Sequence, residues 1–188
     1  MSRYAEYIKA WHNCQLCGLC KTRKNIVLGR GTLPSEVAFI GEAPGEIEDS
    51  FGSPFKGPAG RLFFLDILPQ VVESCGPFTY SVNNLLACVP WEDRVSCKVR
   101  DPLPDEIEKC SPRLAEFLDM ANPNLIVTLG QLAAKWVPKI RPEKLGKVYI
   151  LKLPHPAAIA RIKTQAQKSF AIRQSAVHLS TALLNTRG

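Results

Sequence analysis

The stretch Val37-Ala38-Phe39-Ile40-Gly41-Glu42-Ala43-Pro44-Gly45-Glu46-Ile47-Glu48-Asp49 decides how this chain is read. A short apolar run, of the kind that fills a strand buried on both faces, stops abruptly in a Gly-Glu-Ala-Pro-Gly turn. Carboxylates follow at once. The continuation Ser53-Pro54-Phe55-Lys56-Gly57-Pro58-Ala59-Gly60-Arg61-Leu62 then adds an aromatic ring and a glycine-rich helix start. In open α/β sheets, ligands bind just beyond the carboxyl ends of the strands. Gly41 and Gly45 let backbone amides approach a ligand closely, and Pro44 stiffens the turn between them. The segment is expected to wall a pocket.

Working outward, further apolar or β-branched runs at 80–87, 125–129 and 148–153 read as strands beside 37–40. Helices are expected at about 59–73, 104–119, 130–137 and 168–185. Pro104-Asp105-Glu106 supplies proline and acids for a first turn. Tyr4, Ile8 and Trp11 fall at helical spacing and predict a short N-terminal helix leading into the first cysteines. Strands alternating with helices argue for a mostly parallel sheet covered on both faces. Residues 91–100 read as an irregular loop. The 188 residues suit one domain over 1–188, with no repeat, low-complexity tract or interdomain linker.

The net charge of +7 conceals an asymmetry. After Asp119 the chain carries eleven Lys or Arg against one acid, Glu143, a net +10, so the part before it is about −3. A basic face of this kind suits a polyanion, most simply nucleic acid. No run of about 18 apolar residues is present, so no membrane span is expected. Met1-Ser2-Arg3-Tyr4 lacks the apolar core of a signal peptide, which reads as cytoplasmic. Seven cysteines in such a chain point away from disulfides. Cys14-x-x-Cys17-x-x-Cys20 brings three thiols together, and Cys88 and Cys110 are the natural completers. By spacing alone a tetrathiolate site of this type suits a [4Fe-4S] cluster or zinc equally. Cys75 reads as a small core or loop residue.

The Gly41–Asp49 motif, Cys14-x-x-Cys17, the strand Val82-Asn83-Asn84-Leu85-Leu86-Ala87-Cys88 with Cys110 after it, and Leu153-Pro154-His155-Pro156-Ala157 occur in the order seen in one family. Together they resemble the uracil-DNA glycosylase superfamily, specifically its iron–sulfur branch, family 4. The resemblance implies a three-layer α/β/α sandwich around a central four-stranded, mostly parallel sheet. It implies a monofunctional DNA-repair glycosylase that flips uracil from single- or double-stranded DNA and hydrolyses its N-glycosidic bond, working as a monomer. It favours the cluster over zinc, on Cys14, Cys17, Cys88 and Cys110, with Cys20 able to substitute for a neighbour. The chain departs from the family around Cys88, where Ala87, Val89 and Pro90-Trp91 replace the usual basic and double-proline flanks, and the loop that follows is longer.

The resemblance also implies roles. Phe55 would stack on the flipped uracil, and Asn84 would read its edge through an amide that donates and accepts at once. His155 would stabilise the developing anion at uracil O2, and Glu42 would orient water or stabilise the cationic sugar. Ala43 and Gly45 would line the base through backbone groups, with Glu46 and Asp49 contributing to the pocket or capping the next turn. The competing reading keeps the fold but loses catalysis, leaving a DNA- or partner-binding module. A covalent uracil-trapping relative would need a nucleophile between Cys88 and Cys110, where Cys97 is the only substitute for histidine.

Overall fold

The computed structural model describes residues 2–140 and 148–188. At its centre β2 (Val37–Gly41) lies between β3 (Tyr80–Asn84) and β6 (Leu125–Leu129), and β7 (Tyr149–Leu153) closes one side. All four run parallel, with Phe39 opposite Val82 and Val127. A fifth strand, β1 (Arg30–Gly31), pairs antiparallel with the outer edge of β3. The sheet is therefore five-stranded, in the order β1-β3-β2-β6-β7, rather than four-stranded. Two residues are too few to show strand periodicity, which is why β1 escapes the sequence pattern.

Every residue of β2 and β6 is buried, which explains their near-continuous apolar runs, broken in β6 only by Thr128. Alternation sends Val37 and Phe39 to one face and Ala38 and Ile40 to the other. The first face packs on α3 (Pro58–Leu62), a wider turn at Phe63–Ile67, α4 (Leu68–Cys75) and the last helix, α8 (Gln165–Arg187). The second packs on α5 (Pro104–Ala121) and α6 (Gln131–Trp136), and α1 (Arg3–Trp11) lies outside α5. This is a three-layer α/β/α arrangement.

Three further corrections concern boundaries. The third strand ends at Asn84, not at 87. Beyond it Leu85 and Leu86 still bond to the carbonyls of Gly41 and Glu42, but the chain is already bending under the core. Cys88 therefore lies past the strand, not at its end. Residues 91–100 hold a hairpin of β4 (Trp91–Asp93) and β5 (Lys98–Val99), not an irregular loop. Asp93 closes its turn by accepting from the Val95 amide and the Ser96 hydroxyl. Finally, the acidic motif itself is helical, forming α2 (Glu46–Phe51), and Pro156–Ala160 forms a short α7. No described helix is long and apolar enough to cross a membrane. Of the basic tract, Arg141, Lys144 and Lys147, with the acid Glu143, lie outside the described residues.

Candidate active site

Open α/β sheets bind ligands in the cleft beyond the carboxyl ends of their strands, here those of β2, β3, β6 and β7, and two glycines show how tightly the side chains gather there. A Cβ on Gly41, the last residue of β2, would collide with Asn84 Oδ1 and sit 3.1 Å from Phe55 Cζ. The amide and the ring thus converge on the same bare Cα. Asn84 is buried there at the end of β3. Phe55 is held with φ at 60°, a left-handed backbone costly for an aromatic residue, and its ring packs edge-on against Phe64 at 6.1 Å. Strain of this kind persists only where the surroundings impose it.

Gly130 follows β6 with φ at 102°, which favours glycine, and a Cβ there would strike Glu42 Oε1 and lie 3.3 Å from His155 Cβ. Glu42 and His155 therefore flank one position from β2 and β7. The Glu42 carboxylate accepts from the Leu132 amide at 3.3 Å, at the start of α6, where backbone dipoles favour negative charge. His155 caps α7, its Nδ1 accepting from the Ala157 amide at 3.1 Å. That bond assigns the proton of the neutral ring to Nε2, which leaves Nε2–H free to donate. Burial holds the imidazole below its ordinary value, offset by the charge of Glu42 and reinforced by Arg161. That direction favours the neutral ring near pH 7.

A separate pocket lies against α5. Cys14, Cys17, Cys20, Cys88 and Cys110 line it together with Ile26, Ala87 and two arginines. Arg23 Nη1 donates to Cys88 Sγ at 3.3 Å, and Arg113 Nε to Cys110 Sγ at 3.4 Å. Burial pushes the Cys88 thiol up to about 11, against the pull of Arg23. Among the described residues, no three His, Cys, Asp or Glu converge as tightly as a single-ion site requires. The thiols ring the pocket instead.

The model of the Uracil DNA glycosylase superfamily matches residues 28–177, which take in the whole cleft. The chain belongs to the uracil-DNA glycosylase superfamily. It is 34% identical over 178 residues to the type-4 uracil-DNA glycosylase of Archaeoglobus fulgidus, covering 85% of this chain and 84% of the relative. The type-4 enzyme of Saccharolobus solfataricus is 40% identical over 138 residues, with 72% of this chain and 60% of the relative covered. That of Pyrobaculum aerophilum is 32% identical over 180 residues, with 85% and 87% covered. A solution NMR structure from Methanosarcina acetivorans, proposed to be a uracil DNA glycosylase, superposes with a TM-score of 0.52 at 14% identity. It covers 83% of this chain and 98% of that one, and shows the shared fold.

Not every motif residue of this superfamily member faces the cleft. Asp49 is buried, and its carboxylate accepts from the amides of Lys24 and Asn25 at 2.9–3.1 Å, anchoring the segment after the first cysteines to α2. The Gly45 amide is taken by Glu48, whose other oxygen accepts from the Gly57 amide at 2.7 Å. Ala43 packs toward the cluster that holds Leu86 and Cys88. Glu46 is exposed and meets Cys97 Sγ at 3.5 Å, so the β4–β5 hairpin leans on α2. Sequence reading missed Glu48, which braces the loop carrying Phe55. Its signal was its place at the third position of a helix behind a capping residue. It also missed Arg113, which leaves no local pattern; Asn83, which strand alternation sends to the face opposite Asn84, is its partner there.

Proposed function

We propose that this chain extrudes uracil from DNA and hydrolyses its N-glycosidic bond, leaving an abasic site. The observation that carries this reading is the pairing of Asn84 with Phe55 over Gly41, beside Glu42 and His155 across Gly130. A base inside a duplex cannot reach such a cleft, so flipping comes first. Phe55 then offers a face for stacking. The Asn84 amide can donate to uracil O4 and accept from N3–H, a pattern that cytosine, with a donor at position 4 and none at N3, does not match. A site built to bond one edge rejects a base that leaves its polar groups unpaired.

As the bond to C1′ lengthens, positive charge gathers on the sugar and negative charge on uracil O2. The neutral His155 donates from Nε2 to O2, and being preorganised it costs no reorganisation when the charge appears. Glu42, fixed by Leu132, holds negative charge near the sugar and orients the water that attacks C1′. Water gives its hydroxyl to the sugar, and its proton ends on uracil.

Cys14, Cys17, Cys88 and Cys110 would hold a [4Fe-4S] cluster, with Cys20 a fifth thiol on the same wall and zinc the alternative occupant. The donor set fits. A buried thiolate is costly without a cation, and Arg23 and Arg113 offset the charge that four thiolates would bring. When bound, the group supplies a covalent cross-link between the N-terminal segment, the bend after β3 and α5, not a step of the reaction. The basic second half of the chain would follow the DNA backbone.

Incubation with single- and double-stranded oligonucleotides bearing one uracil, followed by alkali, tests the assignment. Scission at the uracil position is expected. A protein that binds both strands yet releases no uracil would instead be a binding module.

A further inference from the structure

Arg113 is the largest fully buried side chain among the described residues, 1% exposed, and lines the cysteine pocket while bonding to the strand end that bears Asn84. We propose that Arg113 is a positioning residue that ties the cysteine pocket to the strand end bearing Asn84, holding the base-reading amide in register. The role assigned to Asn84 rests on the glycosylase reading above; the tie itself does not.

A guanidinium carries five N–H donors in a rigid fork. Here five acceptors meet them. Nε reaches Cys110 Sγ at 3.4 Å, and Nη1 reaches Asn83 Oδ1 at 2.6 Å and Tyr7 Oη at 3.3 Å. Nη2 reaches the carbonyls of Asn84 at 2.6 Å and Leu85 at 3.1 Å. Asn83 Oδ1 is shared, since it also accepts from the Asn84 amide at 2.9 Å. The bonds to Asn83, Asn84 and Leu85 act on the peptide units on either side of Asn84. The backbone that sets the direction of the Asn84 side chain is thus clamped from the helix carrying Cys110. Lysine carries three donors on a single nitrogen and no fork, so it cannot meet the five acceptors of Cys110, Tyr7, Asn83, Asn84 and Leu85 at once. Asn83 Nδ2 has no partner among the described residues, so only the oxygen of that side chain serves the tie.

The test uses Arg113→Lys, Asn83→Leu and Asn83→Asp in the full chain, each checked for iron or zinc content and thermal midpoint. Arg113→Lys and Asn83→Leu are expected to speed hydrogen–deuterium exchange of residues 83–86. They should slow single-turnover excision of uracil by roughly 10–100-fold, as removal of a supporting hydrogen bond does, with DNA affinity unchanged. Preference for uracil over cytosine should narrow. Asn83→Asp keeps the acceptor and should recover both readouts. If Arg113→Lys does not fold, the Asn83 pair decides alone. Exchange and rate both at the wild-type level in folded Arg113→Lys or Asn83→Leu would overturn the proposal. So would Asn83→Asp behaving like Asn83→Leu. A wild type that excises no uracil would sink the glycosylase reading, while the exchange arm would still decide whether the tie exists.

Discussion

The cleft and the cysteine pocket are joined through Arg113, which bonds to Cys110 on one side and to the Asn84 carbonyl on the other, yet they are assembled on opposite principles. In the cleft, functional groups from three strand ends and from the loop carrying Phe55 are brought together by what is missing. Gly41 and Gly130 carry no Cβ, and the space is filled by Asn84, Phe55, Glu42 and His155. In the pocket, thiols from three distant segments line one space, and two arginines beside them donate to sulfur. The cleft is thus set by backbone geometry and should survive single side-chain losses as a shape. The pocket depends on its occupant, and should lose it as a unit.

The largest expected difference follows from that. Cys88→Ser or Cys110→Ser should abolish bound metal, from about four irons per chain to none for a cluster, measured by metal analysis on protein purified without oxygen. Cys75→Ser should change nothing, because Cys75 packs against α8 near the Ser180 carbonyl, away from the pocket. Stoichiometric zinc with no iron in that preparation would replace the cluster by the other occupant.

Next in size is the loss of one donor from the cleft. His155→Ala should slow single-turnover excision by about 10²–10³-fold, the usual effect of removing one preorganised donor, with little change in DNA affinity. The pH profile gives the same residue a second signature. Burial holds its folded value below the ordinary value of about 6.5, so excision should stay level across neutral pH and fall only below that range. The linkage runs the same way. The unfolded chain takes the proton first, so the contribution to stability is complete above about pH 6.5 and is lost as pH falls toward the folded value. A rate that rises as pH drops through about 6 would mean that the imidazolium is the donor.

How far the sequence foreshadows these two regions differs for the same physical reason. The cleft is legible because a buried strand, a glycine turn and a short polar stretch are local, and each leaves its pattern within a few residues. His155 follows a strand end that periodicity locates, whereas β3 ends at Asn84, three residues short of its apolar run. Asp49 shows the limit, since nothing local distinguishes a carboxylate aimed at a cleft from one that accepts two successive amides from residues 24 and 25. The cysteine ring is legible as chemistry but not as geometry. Arg113 is not legible at all, because a buried arginine in Cys110-Ser111-Pro112-Arg113 reads as the polar face of a helix until its five acceptors are seen. Likewise the two residues of β1 and the hairpin at 91–99 are fixed by partners distant or irregular in sequence.

A substitution that adds matter to the cleft is a milder probe than one that removes a donor. Gly130→Ala would place a methyl against the Glu42 carboxylate and force an unfavourable φ, a strain on the order of 1–3 kcal/mol. Excision should fall through displaced Glu42 while His155 keeps its bond to Ala157. The check is a single-turnover rate beside a thermal midpoint. If the midpoint falls and the rate per folded molecule does not, Glu42 takes no part in the chemistry.

The smallest effect belongs to neither region but to the surface that would deliver DNA to them. Arg161 and Lys163 lie exposed just beyond His155, and Arg161 is near enough to weigh on its titration. Neutralising a side chain that pairs with one phosphate should reduce the slope of log affinity against log salt by about 0.9 on duplex DNA. Replacing both by Gln should therefore weaken binding at low salt and flatten its salt dependence, with single-turnover excision at saturation nearly unchanged. Arg161→Gln alone should also let the His155 value rise, because a positive charge that opposes its protonation is gone. The pH at which excision declines should move upward in that variant and stay fixed in Lys163→Gln. An unchanged salt slope in the double variant would place the DNA track elsewhere on the basic half. An unmoved pH profile in Arg161→Gln would mean that burial alone keeps His155 neutral.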